Sequence, residues 1–170
     1  MYNKEIKIIL SLAILSASVY LFNEGEIGYG IVVLLIMGLV ILSIFKDERI
    51  LKAFYHLRKN DMQKAGKTLS RIKHPEKLIK SQEAYFYYLN GLVLSQTQMN
   101  QAEKLFKKAL SVGLRSNTDK AVAKLNLAGL AISRRRKREA TTLLTEVKKL
   151  DKHNMLDDQV KMMKQQLKRI

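Results

Sequence analysis

One stretch constrains this chain more than any other: Ile27–Phe45, nineteen consecutive residues without a charge. As a helix rising about 1.5 Å per residue it covers roughly 28 Å, close to the ~30 Å hydrocarbon core of a bilayer. A second apolar run, residues 8–22, precedes it, and only Asn23-Glu24-Gly25-Glu26 lies between them. The pair reads as a transmembrane helical hairpin within residues 1–46, with spans of about 6–22 and 27–45. Ile6 extends the shorter run, and Lys7 can lift its ammonium to the headgroups. A basic lead before an apolar run also suits a cleaved signal peptide. Ser16-Ala17-Ser18 is a poor cleavage site, however, and the second run follows at once, so the uncleaved hairpin is favoured. Ala13 and Ala17 form a small-xxx-small pair, and Gly30 and Gly38 lie on the second span. They either let the two helices approach closely or are ordinary membrane residues.

Basic residues orient the hairpin. Lys4 and Lys7 precede it; Lys46, Arg49 and Lys52 follow it; the loop between has two glutamates and no lysine or arginine. The positive-inside tendency places both termini in the cytoplasm, with a bacterial inner membrane or its equivalent as the expected location. Of the 31 Lys and Arg only those three lysines up to Lys46 belong to the hairpin, and of the 15 Asp and Glu only Glu5, Glu24 and Glu26. The whole net charge of +16 therefore falls on residues 47–170. Such a segment is drawn to anionic lipid, nucleic acid or acidic protein. With no cysteine, disulfides and cysteine-bound zinc are excluded. A single proline and few glycines indicate an all-α chain.

From residue 47 the chain repeats itself. Asn60-Asp61-Met62-Gln63-Lys64-Ala65 is followed by Leu69 and Ile72. Gln98-Met99-Asn100-Gln101-Ala102 is followed by Phe106 and Ala109, and Arg136-Lys137-Arg138-Glu139-Ala140 by Leu144 and Val147. The three alanines are 37 and 38 residues apart, and each is followed at +4 and +7 by apolar residues. A small residue, Ala53, Gly91 or Ala128, sits in the helix before each. This period, with two helices per unit, predicts a helical solenoid. The expected units are about 47–73, 82–112 and 119–150, with connecting segments at 74–81 and 113–120. Leu156, Val160, Met163, Leu167 and Ile170 step by 4, 3, 4 and 3, which predicts a capping helix over 154–170 with Asn154 at its start. No proline or glycine separates Phe45 from Ile50, so the second span is expected to be able to continue as one helix through Leu57.

These residues resemble the tetratricopeptide repeat family. Ala53, Ala65 and Leu69, then Gly91, Ala102 and Phe106, then Leu127-Ala128, Ala140 and Leu144 match its small–Ala–bulky pattern. The match covers about residues 47–150. Tryptophan and the repeat-ending proline are absent, and the step from glycine to alanine in the second unit is one residue short. The resemblance implies a short solenoid whose concave groove holds a peptide. Near the positions where the family holds a peptide backbone or carboxylate stand Asn90 and Asn126.

Chemistry-bearing patterns are few. His56, His74 and His153 are far apart in sequence, and no phosphate-cradling glycine spacing or acid–base couple stands out. No cofactor, metal or enzymatic activity is expected. Arg134-Arg135-Arg136-Lys137-Arg138 is the densest charge; it is either a contact to anionic lipid or phosphate or a solvated turn. No aromatic residue lies among these five to stack a base, which weakens nucleic acid as a partner. Tyr85-Phe86-Tyr87-Tyr88 places four aromatics in one turn, either as core packing or, for Tyr85 and Tyr88, as part of the groove. The expectation is a membrane-anchored adaptor or scaffold for a protein partner. The alternatives are a membrane-tethered binder of RNA, ribosomes or DNA, and an accessory subunit of a larger membrane complex. The sequence leaves the oligomeric state open.

Overall fold

The computed structural model describes residues 4–45 and 47–169, with all their side chains except those of residues 4–8, 39 and 41–45. Among the described residues every regular element is helical. Two compact units divide the chain, Met1–Glu48 and Arg49–Ile170.

The first unit is a hairpin of α1 (Lys4–Asn23) and α2 (Ile27–Phe45). Gly25 turns the chain at φ 80°, a left-handed value that favours glycine. Glu26 N–H then donates to the Leu21 carbonyl at 3.0 Å. Ser11, Ile14, Ser18 and Leu21 of α1, stepping by 3, 4 and 3, are its more buried positions, and Gly30 and Val33 are among those of α2. Ser18 is 1% exposed; its hydroxyl donates to the Gly30 carbonyl at 3.3 Å. A Cβ at Gly30 would lie 2.9 Å from the Phe22 ring. Ala13 and Ala17 are exposed. The small-residue pair suggested by the sequence is thus off the interface, because the stripe through Ser18 occupies it. Nothing lies within 4 Å of a Cβ at Gly38. The outer surface carries Ile9, Leu12, Leu15, Val19, Ile31, Leu35 and other large apolar side chains. Among the described residues no helix is long and apolar enough to cross a membrane; six of the last seven side chains of α2 lie outside that set.

α2 does not run on into the next helix. Asp47 is non-helical, and α3 starts at Glu48. The sequence contains no breaker here, so this interruption had no local signal.

The second unit is three helix pairs and a final helix. The pairs are α3 (Glu48–Arg58) with α4 (Met62–Leu69), α5 (Lys80–Leu94) with α6 (Met99–Val112), and α7 (Asn117–Ser133) with α8 (Lys137–Leu150). The last element is α9 (Asp157–Lys168). The turns inside the first and third pairs are built alike. Asn60 (φ 57°) and Arg135 (φ 56°) both lie five residues before the repeat alanine. In each, the next residue donates back five positions: Asp61 N–H to His56 O at 2.9 Å, Arg136 N–H to Ala131 O at 2.8 Å. Such six-residue closures satisfy carbonyls at a helix end. In the second pair, Gln98 N–H instead bonds Leu94 O at 2.8 Å, four positions back. This tighter turn is the physical origin of the missing residue between Gly91 and Ala102.

The connectors are also resolved. Residues 70–79 hold a short 3-10 turn, Pro75–Lys77. The second connector is shorter than the sequence suggests, because Ser116 caps α7 by accepting from Asp119 N–H at 3.3 Å. Gly113 (φ 108°) ends α6. Before α9 the expected cap, Asn154, sits instead in the turn at φ 53°. The Asp151 carboxylate holds that turn, accepting from Met155 N–H at 3.1 Å and Leu156 N–H at 2.7 Å.

Packing follows the repeat. Ala53, Ala65, Ala102, Ala128 and Ala140 are fully buried, as are Leu69, Phe106 and Leu144. Leu156, just before α9, and Val160 of α9 join Leu125, Ala128, Leu144 and Val147 in one cluster, with Met163 packed against it. Met163 and Leu167 also pack against Ala131, Ile132 and Ala140. The last pair's apolar face is thereby covered; Ile170 lies outside the described residues. The tightest approach is between α5 and α6, where a Cβ at Gly91 would lie 2.8 Å from the Phe106 ring.

Gly91→Ala is expected to destabilise the second unit by about 1–3 kcal/mol, the usual range for overpacking. Gly129→Ala is expected to be neutral or to stabilise by up to about 1 kcal/mol, because its Cβ meets only Met163 Cε at 3.4 Å. Urea titrations followed by helical circular dichroism in detergent read both. Equal effects of the two changes would contradict the packing described.

Candidate functional site

The sequence pointed to two surfaces, an aromatic groove and an arginine-rich turn. The structure places their residues in different environments.

Tyr85 and Tyr88 belong to a chain of ring contacts running through the core. Phe54 of α3 meets Tyr85 of α5 edge-on at 6.0 Å, Tyr85 meets Tyr88 at 5.5 Å, and Tyr88 meets Phe106 of α6 at 6.4 Å. Tyr88 is 5% exposed. Its ring therefore joins helices and presents almost no surface. Burial pushes the phenol of Tyr85 up to about 12, and the neighbouring Asp119 charge adds to it. Burial, then the charge of Asp119, also raises Tyr88. Asp119 is itself raised by burial, against the pull of hydrogen bonds from Ser116 and Tyr85. Asp119 thus ties the start of α7 to the aromatic turn of α5, a role with no signal in the spacing.

Asn90 and Asn126 take equivalent places. Each is half-buried and donates its side-chain amide to the carbonyl four residues earlier, Asn90 to Phe86 at 3.0 Å and Asn126 to Val122 at 2.8 Å. One N–H of each amide is thus used within its own helix, which leaves the second N–H and the amide oxygen for other contacts.

The five basic residues divide into two sets. Arg136 forks onto Glu103 of α6 with bonds of 3.1 and 3.0 Å and reaches Glu139 at 2.8 Å. Arg134 bonds Glu103 with one nitrogen and Asn100 with the other. Lys107 adds a third cation on Glu103 at 2.7 Å. Glu103 is only 7% exposed. The bond from Arg136 holds its carboxyl down to about 2, helped by Lys107. Arg134 and Arg136 therefore fasten the α7–α8 turn to α6. Arg135, Lys137 and Arg138 remain exposed to solvent. Sequence reasoning missed Glu103. Its one signal was a lone acid on a lysine-rich helix, directly after the repeat alanine.

Beside this clamp are two open depressions. One, of ≈ 570 Å³, is lined by residues 96–101 and Arg134; the other, of ≈ 390 Å³, by Asn100, Glu103, Lys104, Lys107 and Arg134. Their one carboxylate, that of Glu103, is already engaged by three cations. His74 pairs with Glu76 at 3.0 Å on the surface. Among the described residues no cluster of His, Cys, Asp and Glu suits a metal ion.

No family model matches this chain, and no curated protein or solved structure matches it significantly.

Glu103→Gln is expected to cost about 1.5–3 kcal/mol at neutral pH, the usual worth of hydrogen bonds to a charged group. Because the folded carboxyl titrates below its unfolded value, its contribution is full above about pH 4.5 and fades toward about pH 2. The stability gap between wild type and variant should close over that window. A gap that persists unchanged at pH 2.5 would contradict the clamp.

Proposed function

We propose that the chain is a membrane-anchored helical-repeat adaptor or scaffold: an N-terminal hairpin seated in a bilayer and a non-enzymatic, tetratricopeptide-like solenoid that binds a protein partner at its cytoplasmic face. The observation that carries the reading is the inverted packing of the hairpin. It buries Ser18 and Gly30 and turns Ile9, Leu12, Val19, Ile31 and Leu35 outward. Interhelical contacts in membranes favour small residues and cross-helix hydroxyl bonds, and the Ser18–Gly30 bond is of this kind. Ile27–Phe45 is uncharged along its whole length.

The solenoid half of the reading is supported by the buried alanines at the repeat period and by the matching turns at Asn60 and Arg135. A scaffold role fits an open depression whose carboxylate is locked in ion pairs. Arg134 and Arg136 are spent on Glu103, so the phosphate-binding alternative loses two of its five cations.

Full-length chain in isolated membranes should resist alkaline carbonate extraction, and a reporter fused after Ile170 should be active only in its cytoplasmic form. After mild detergent, a protein partner should co-purify in defined ratio, survive nuclease and moderate salt, and dissociate with Asn126→Ala. Carbonate release or a periplasmic signal would overturn the anchor. Nuclease-sensitive retention of nucleic acid, with no protein in defined ratio, would overturn the adaptor.

A further inference from the structure

One face of α3 is unlike any other in the second unit. Ile50 and Ala53 are buried, and Phe54 and Leu57 pack against the same core. On the opposite side Leu51 is 72% exposed and Tyr55, one turn later, 53% exposed. Among the described residues the other large apolar side chains exposed in this unit are Ile79, Met99, Met155 and Met162, each on a different helix or connector. Leu51 and Tyr55 are the pair that forms a stripe. Lys52, Arg58 and Lys59 are exposed around them, and the Lys59 ammonium lies 4.6 Å from the centre of the Tyr55 ring. An aliphatic residue, a tyrosine with its polar tip, and a basic rim make up the composition of an interfacial helix face.

Chain length places this face near whatever holds α2. Leu51 follows Phe45 by six residues, a stretch that spans at most about 21 Å when fully extended. The charges select the surface: Lys52, Arg58 and Lys59 outnumber Glu48, the exposed acid one turn before Leu51, so the face complements anionic headgroups, and its apolar pair suits the boundary just beneath them.

We propose that the Leu51–Tyr55 face of α3 lies in the headgroup layer of an anionic bilayer, with Leu51 and the Tyr55 ring at the acyl boundary and Lys52, Arg58 and Lys59 on lipid phosphate. This rests on the reading of α1–α2 as a membrane hairpin. It gives the anchor a second point of attachment, one that depends on lipid charge.

The chain contains no tryptophan, so a single introduced one reports its own surroundings. Full-length Leu51→Trp, reconstituted into vesicles with brominated acyl chains, should show blue-shifted, quenched emission when phosphatidylglycerol is present, and lose both in pure phosphatidylcholine. Lys52→Gln with Lys59→Gln should lower the docked-to-free ratio roughly thirtyfold, which is about 2 kcal/mol for the two basic residues together at about tenfold per 1.4 kcal/mol. Met162→Trp should remain unquenched throughout. Leu35→Trp reads the hairpin separately and should be quenched in both lipids. Quenching at Leu35 without quenching at Leu51 leaves the hairpin standing and overturns the α3 contact. Absence of quenching at Leu35 overturns the hairpin and the α3 contact together. Equal quenching at Leu51 and Met162 overturns the assignment to this face.

Discussion

Apolar surface has to meet something apolar, and most of the large apolar side chains described in the α1–α2 hairpin are left unmet. Its helices meet through a serine hydroxyl, a glycine carbonyl and a few half-buried side chains. Burial of apolar area supplies roughly 25 cal/mol per Å² in water, and this arrangement forgoes much of it. In hydrocarbon the penalty disappears, and a close glycine approach with a cross-helix hydrogen bond becomes a reasonable interface. The proposed anchor and the proposed lipid contact of α3 both depend on this inverted packing.

The second unit follows the opposite rule. Small residues recur where helices cross, and the bulky residue four positions later fills the space they leave: Phe106 against Gly91, Leu144 beside Ala128. α9 then covers the final pair. Repeats stacked this way depend mainly on their neighbours, so links between successive units matter. Phe54–Tyr85 connects the first to the second; Tyr85–Asp119 and the Glu103 clamp connect the second to the third. Residues that resemble a binding surface in the sequence, Tyr88, Arg134 and Arg136, are spent on holding the second unit together.

Much of this architecture was legible. The alanine period, the paired helices and the C-terminal stripe are local patterns, and local patterns survive in sequence. Even the missing residue between Gly91 and Ala102 marked a real difference, the tighter turn at Gln98. Other features depend on partners distant in the chain. Glu103 meets Arg134 and Arg136 more than thirty residues away, and spacing gives no sign of it. The phase of α1 stayed open in the sequence because nearly every position is apolar or small, so no polar face sets the rotation; Ser11 and Ser18, rather than Ala13 and Ala17, are the more buried positions. The break at Asp47 and the turn at Asn154 carry no glycine or proline to mark them, and the Asn154 turn is held by the Asp151 carboxylate instead.

The inverted hairpin can be tested most directly by probing what surrounds its outer face. The chain has no cysteine, so single cysteines at Leu12, Val19, Ile31 and Leu35 can be spin-labelled in the otherwise unmodified full-length protein in lipid bilayers. The membrane reading predicts high collision rates with dissolved oxygen and low rates with a water-soluble nickel complex at all four positions. High nickel accessibility at these sites, matching a label at exposed Lys149, would contradict it.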